Sequence, residues 1–210
     1  MSKVFFSVGM SLDGFIAGPN GGPENPLGDG GTLIHQWVYN QKNFRELLKV
    51  GAGGETGRDN EIITRIMKRI GANIMSNRLF KEGEANWPEE APFHCPVYVL
   101  THQRRNPWER KGGTTFYFTK DPIEVVLQLA KKAAGNKDVR ISGGAETIRS
   151  YLSAGLIDEF SLHVTPIIMG TGVRLFEKIK KEKFSLEISE VVNSPMVTHL
   201  FYKVINHEKN

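Results

Sequence analysis

Cysteine is nearly absent from this sequence: Cys95 is the only one in 210 residues. A single thiol closes no intramolecular disulfide, so a reducing compartment, and a cytoplasmic location, is expected. No apolar run approaches 18 residues, which gives no length for a transmembrane helix and no membrane partner. Met1-Ser2-Lys3 leads into alternation rather than into the apolar core of a signal peptide. Neither sign of charge dominates. Lys and Arg number 27 against 23 Asp and Glu, a net charge of +4. That surplus favours an anionic small ligand and is no nucleic-acid footprint. Metal motifs are missing too. The six histidines include no i, i+4 pair, and His94-Cys95 cannot supply four zinc ligands. The chain also has no Gly-x-Ser-x-Gly elbow, no Gly-x-Gly-x-x-Gly fingerprint and no Gly-Lys-Ser/Thr phosphate loop.

What is present alternates between strand and helix patterns. Val4 to Met10 is apolar on both faces and reads as a strand buried on two sides. Gly18 to Gly31 is dense in Gly, Pro, Asn and Asp, with Leu27 almost its only apolar anchor, and reads as a long mobile loop. One helix is expected over Ile34 to Val50, stopped by Gly51-Ala52-Gly53-Gly54. A second is expected over Asn60 to Ile70, stopped by Gly71. Ala72 to Met75, Pro96 to Leu100 and Thr114 to Phe118 read as strands. Asp121-Pro122-Ile123-Glu124 has the form of a capping box, opening a helix that ends at Gly135. Val139 to Ile141 is a strand running into Ser142-Gly143-Gly144, with a helix from Ala145 to Ala154. Ile157 to Val164, Phe184 to Val191 and Val197 to Ile205 alternate like antiparallel strands with one wetter face. The pattern predicts one α/β domain over residues 1–210 with a mixed sheet.

Three segments carry candidate chemistry. At Ser142-Gly143-Gly144-Ala145-Glu146-Thr147 a strand ends, glycines turn and a helix begins. Such a turn offers backbone N–H groups and the positive helix end to a phosphate; an ordinary strand–helix turn needing positive φ has the same sequence. Thr101-His102-Gln103-Arg104-Arg105 follows a strand and suits a phosphate monoester, although short basic runs are usually solvated. Asp13 is the acid best placed for proton donation, in an Asp-Gly pair that also forms turns. Gly51 to Gly57 follows a helix and reads as a connector. The Lys178-Ile179-Lys180-Lys181-Glu182-Lys183 run reads as a solvated face.

Ser11 to Gly18, Gly71 to Met75, Pro96 to His102, Val139 to Phe176 and Ser194 to Leu200, in that order, resemble the dihydrofolate-reductase-like superfamily. The nearest type is the riboflavin-biosynthesis reductase domain (RibD C-terminal type), in an uncharacterised bacterial branch. The resemblance implies a single α/β domain: a mostly parallel mixed sheet of about eight strands, helices on both faces and an antiparallel C-terminal part. It implies NADPH along the strand ends, with NADH left open. Gly143 and Gly144 would meet the diphosphate, with Ser142 before them and Ala145, Glu146 and Thr147 behind. Thr101, His102, Gln103 and Arg104 would border the 2′-phosphate, and Gly9, Ile16 and Ala17 the carboxamide. Ser76, Asn77 and Arg78 stand where relatives carry Gly-Arg. Trp37, Gly170 and Thr171 would face the substrate, and Asp13 would supply the proton. The implied activity is reduction of a small heterocyclic or carbonyl compound by a homodimer. A riboflavin-pathway ribosylamino-pyrimidine reductase and a non-catalytic nucleotide-binding module are the alternatives.

Overall fold

Val4–Ser11 forms β1, and the structure buries both of its faces, as its apolar sequence requires. In this computed structural model residues 2–179 and 181–207 are described, so Lys180 of the basic run lies outside the described residues. The chain continues through β2 (Phe15–Ala17), α1 (Gly31–Tyr39), α2 (Lys42–Leu48), α3 (Arg58–Lys68), β3 (Ile70–Ser76) and α4 (Asn77–Glu84). It then forms β4 (Pro96–Leu100), β5 (Trp108–Arg110), β6 (Thr114–Thr119), α5 (Ile123–Ala134), β7 (Asp138–Gly143) and α6 (Ala145–Ser153). The last third holds β8 (Glu159–Thr165), β9 (Val173–Arg174), β10 (Phe184–Asn193) and β11 (Thr198–Asn206).

Nine strands form one sheet in the order β10-β11-β8-β1-β7-β3-β4-β6-β5, and β2 pairs with β9 apart from it. The central strands from β8 to β6 run parallel, while β5, β11 and β10 are antiparallel to their neighbours. On one face Val4, Phe6, Ala72 and Ile74 pack under Val126 and Leu127 of α5 and Ile148 and Leu152 of α6. On the other, Phe5 meets Ile62 and Ile66 of α3, and Met75 meets Phe80 of α4. A sheet covered on both faces makes its strands apolar throughout. From β1 the chain builds outward through β3, β4 and β6, returns to insert β7 beside β1, then crosses to β8. Such a switch opens a crevice at the strand C-termini, where ligands of α/β sheets bind. Among the described residues no helix is long and apolar enough to cross a membrane.

Several local expectations need correction. The helix expected over Ile34 to Val50 is two helices, broken where Gln41 is extended (φ −77°, ψ 133°) and its buried amide donates to the Trp37 carbonyl. Gly71 is no helix stop. It lies in β3, where a Cβ would come within 2.7 Å of the Ala134 carbonyl oxygen, so it admits the end of α5. The Asp121 capping box does not form: Asp121 accepts from Thr119 Oγ1 and Pro122 is the N-cap. β8 is not a half-wet antiparallel strand, because it is buried between parallel β1 and antiparallel β11. The short strands β2, β5 and β9 carry too few residues for a pattern to show.

Candidate active site

The C-terminal ends of β1, β7, β3 and β4 surround a cleft of about 990 Å³. Its centre is the turn from β7 into α6. Gly143 has φ 127°, a value that strains any side chain. Gly144 is the N-cap of α6 without any side-chain cap, so the amides of the first helical turn have no partner from a capping side chain. Ser142, Ala145, Glu146 and Thr147 line the cleft on either side of the two glycines. Ser76 Oγ accepts from the Leu79 amide at 3.2 Å, capping α4, and from the Gly144 amide at 3.1 Å. One hydroxyl therefore binds the ends of β3 and β7 together. Here the Ser in place of Gly has a structural reason. Arg78 pairs with Glu82 at 2.8 Å and lies against Gly21, while Asn77 is outside the cleft lining.

At the end of β4, Thr101 is buried and its Oγ1 accepts from the Gln103 amide at 3.1 Å. Thr101 and His102 line the cleft; Gln103 and Arg104 are exposed beyond it. Arg105 is held by Glu84 at 2.5 Å and lies over Phe118 and Trp108. Lys120, at the end of β6, lines the same rim and was not anticipated.

Gly9, Ile16, Ala17 and Trp37 line the other end of the cleft. A Cβ on Gly9 would meet the His35 ring at 3.0 Å, so this glycine lets a histidine lie across β1. Three polar atoms here are buried with no hydrogen-bond partner: His35 Nε2, Trp37 Nε1 and Arg140 Nε. Arg140 Nη2 donates to the Ser7 carbonyl at 3.2 Å. Burial pulls the Arg140 guanidinium down to about 10, so it is still a cation at neutral pH, and among the described residues it has no carboxylate partner. Unsatisfied polar atoms at a cleft floor are where a ligand's complementary donors and acceptors fit. Ser142 Oγ donates to Asn73 Oδ1 at 2.6 Å, and Asn73 contacts the buried Cys95 thiol. Burial raises that thiol to about 11, which leaves it unreactive.

Asp13 is not at the cleft. Its carboxylate accepts from the Met169 amide at 3.0 Å, from the Gly170 amide at 2.7 Å and from Ser11 Oγ at 2.7 Å. Led by the Met169 bond, these contacts hold its carboxyl down to about 2, so it carries no proton to donate at neutral pH. It fastens the β1–β2 turn to the segment after β8. Gly170 belongs to that fastening, and both Gly170 and Thr171 stand outside the cleft lining.

Ser7, His35, Asn73, Arg140 and His163 are cleft residues that the sequence reading passed over. Their signal was weak but real: apart from His35 of α1, they are polar residues that interrupt buried strands.

A family model of the RibD C-terminal domain matches residues 2–200. The chain belongs to that family. Among relatives of this RibD C-terminal domain, the uncharacterised protein YyaP of Bacillus subtilis is 24% identical over 183 residues, covering 85% of this chain and 82% of its own. A putative riboflavin biosynthesis protein from Shewanella sp. PV-4 superposes with TM-score 0.65 at 20% identity, over 97% of this chain and 99% of that one. Dihydrofolate reductase from Enterococcus faecalis, solved with NADP(H), superposes with TM-score 0.52 at 12% identity, over 98% and 96%. The RibD C-terminal domain seen here thus has the dihydrofolate-reductase-like fold, with nine strands in the main sheet rather than the eight expected.

Proposed function

We propose that this chain is an NADPH-dependent reductase of a small heterocyclic or carbonyl-containing molecule. The observation that carries the reading is a single cleft with two unlike ends. One end has the glycine turn and the uncapped start of α6; the other has a floor of unpartnered polar atoms at His35, Trp37 and Arg140. The first suits a diphosphate and the second a planar ligand with acceptor atoms.

When bound, the dinucleotide supplies a hydride. The chain's own residues do the rest. Gly143 and Gly144 let a diphosphate approach backbone without meeting a Cβ, and the α6 amides face it. Lys120 and, with a rotation of its side chain, Arg104 give the 2′-phosphate its positive surroundings, beside His102. Gly9, Ile16 and Ala17 offer backbone groups to the carboxamide. Arg140 and Trp37 orient the substrate, and the apolar walls exclude water from the transfer.

Turnover is tested by screening C=N heterocycles and carbonyl compounds for loss of dihydronicotinamide absorbance. An acceptor that Arg140→Met slows about a hundredfold or more supports the reading. NADPH that binds with no acceptor reduced across both chemical classes leaves a nucleotide-binding protein without this activity.

A further inference from the structure

A row of polar side chains crosses the sheet beneath the cleft, on the face that α1 and α3 cover. Register sets Ser7 of β1 beside Ser161 of β8, His163 beside Gly9, and His199 of β11 beside His163. Ser7 Oγ is 2.7 Å from His163 Nε2, and Ser161 Oγ is a weaker neighbour of the same nitrogen at 3.4 Å. His163 Nδ1 is 2.7 Å from His199 Nδ1. His199 Nε2 is 3.1 Å from Asp59 Oδ1, in the first turn of α3, and Ser194 Oγ donates to Asp59 Oδ2 at 3.0 Å. Ser7, His163 and His199 are 6%, 2% and 0% exposed, whereas the Asp59 side chain keeps 14%. Ser7 and His163 line the cleft. The chain of contacts therefore joins the cleft floor at Ser7 to the partly exposed Asp59 along one face of the sheet.

The chemistry of the groups fixes where the hydrogens lie. An ionised carboxylate only accepts, so His199 Nε2 carries a hydrogen. A neutral His199 then accepts at Nδ1, His163 donates from Nδ1, and His163 Nε2 accepts from the Ser7 hydroxyl. In that state the Ser7 proton points into the protein. One added proton reverses every bond but the last. A charged His199 donates from both nitrogens, His163 accepts at Nδ1 and donates from Nε2, and the Ser7 hydroxyl hydrogen is released toward the cleft.

We propose that Ser7, His163, His199 and Asp59 form a proton relay, which takes up one proton from cleft water at Ser7 Oγ before the substrate binds, stores it on His199 beside Asp59 and returns it through Ser7 Oγ to the substrate. The relay rests on the reductase reading and supplies the donor that Asp13 does not. In the balanced step the substrate's C=N or C=O carbon gains two electrons and a hydrogen as the hydride that the dinucleotide supplies. Its nitrogen or oxygen takes the Ser7 hydroxyl proton as the C=N or C=O π bond opens. Ser7 Oγ recovers a proton from His163 Nε2, and His163 Nδ1 recovers one from His199 Nδ1. The pair ends neutral and Asp59 is ionised throughout. Ser7 is the catalytic group; the other three are positioning and relay residues.

Charges from five elements bear on the pair. Burial is the main influence and lowers both histidines. On His163, His199 itself, Arg140 of β7 and His35 of α1 lower it further. On His199, Asp59 of α3 and Glu190 of β10 favour the charged ring, while Arg65 of α3 opposes it. The added proton therefore sits on His199 beside Asp59, and a proton held reluctantly is readily given up.

The relay is tested without cofactor or substrate by histidine-¹⁵N NMR on the full chain across an acid titration. The expected result is one joint transition below the ordinary histidine value of about 6.5. In it His199 becomes charged and His163 Nε2 changes from acceptor to donor at the same midpoint. Asp59→Asn should lower that midpoint by about one unit; Ser7→Ala should leave the joint transition in place. Separate midpoints for the two rings, or a His163 Nε2 that never becomes a donor, would overturn the relay. Failure of the reductase reading shows elsewhere, as absent NADPH binding. With an acceptor in hand, Ser7→Ala and His199→Gln should cut kcat about a hundredfold at neutral pH with KM little changed. His199→Gln should also flatten the fall in kcat that the wild type shows as pH rises. An unaltered pH profile in His199→Gln would contradict delivery by this route.

Discussion

Asp13 shows how a residue can sit next to a site and serve its geometry alone. Three hydrogen bonds hold its carboxyl down to about 2, below the ordinary 3.8. A carboxylate lowered on folding stabilises the protein above its unfolded value, and that contribution is lost as pH falls from about 4 towards 2. Asp13→Asn should therefore melt earlier than the wild type at neutral pH, with the gap narrowing in acid, while NADPH affinity changes less than about twofold. A gap independent of pH, or a large loss of NADPH affinity, would return Asp13 to the site. Buried His163 and His199 are lowered as well, so charging them in acid also opposes the fold, starting near the ordinary 6.5. The residues legible in the sequence were those whose role is local. Gly143 and Gly144 announce a turn, because strand, glycine and helix follow one another in the chain. His163 and His199 act through contacts 36 residues apart, and Ser7 through one 156 residues away. No spacing rule reaches that far.

At the scale of elements, the segment from Gly18 to Gly31 carries ties that its composition does not announce. Its glycines and prolines read as a mobile loop, and the structure shows hydrogen bonds that staple its two ends together. Asp29 accepts from Asn20 and Asn25 at 2.7 Å each, its amide donates to the Pro19 carbonyl, and the Gly18 amide donates to the Leu27 carbonyl at 2.7 Å. A Cβ on Gly18 would overlap the Asp29 backbone, so this glycine marks close packing rather than freedom. Composition alone does not separate the two uses of glycine. The stapled loop is expected to move, if at all, as a rigid flap whose Leu27 lines the cleft. Asp29→Ala should speed proteolytic nicking between residues 18 and 30 several-fold, with NADPH protecting wild type and variant alike. Equal nicking of both proteins would show that the Asp29 bonds do not hold the loop. The helix boundaries erred for a related reason: the chain is extended at Gln41, where it pairs with Glu55 (the Glu55 amide donates to the Asn40 carbonyl at 2.7 Å and the Lys42 amide to the Glu55 carbonyl at 2.9 Å), although glutamine's own propensity suits a helix. Strand order beyond the βα alternation was equally out of reach, because the insertion of β7 beside β1 leaves no local mark.

For the whole molecule, the sheet ends on one side in β10, a ten-residue edge strand. Leu186, Ile188 and Val191 are 44%, 66% and 56% exposed along it. A long apolar edge invites pairing, and a second copy of the chain related by a two-fold axis would cover it. Ile188→Lys should therefore convert a dimer to a monomer in light scattering at micromolar concentration, with the fold intact by circular dichroism. A wild type that is already monomeric would exclude the dimer. Thermal melting with NADPH tests most directly the dinucleotide site proposed at the C-terminal ends of β7 and β3. A hundredfold excess over the dissociation constant should stabilise the fold by about 2.7 kcal/mol. Ser76→Ala, which removes the α4 cap and the bond to the Gly144 amide, should melt earlier by about 1 kcal/mol and respond less to the ligand. No change in the melting of the wild type with millimolar NADPH or NADP would contradict the account.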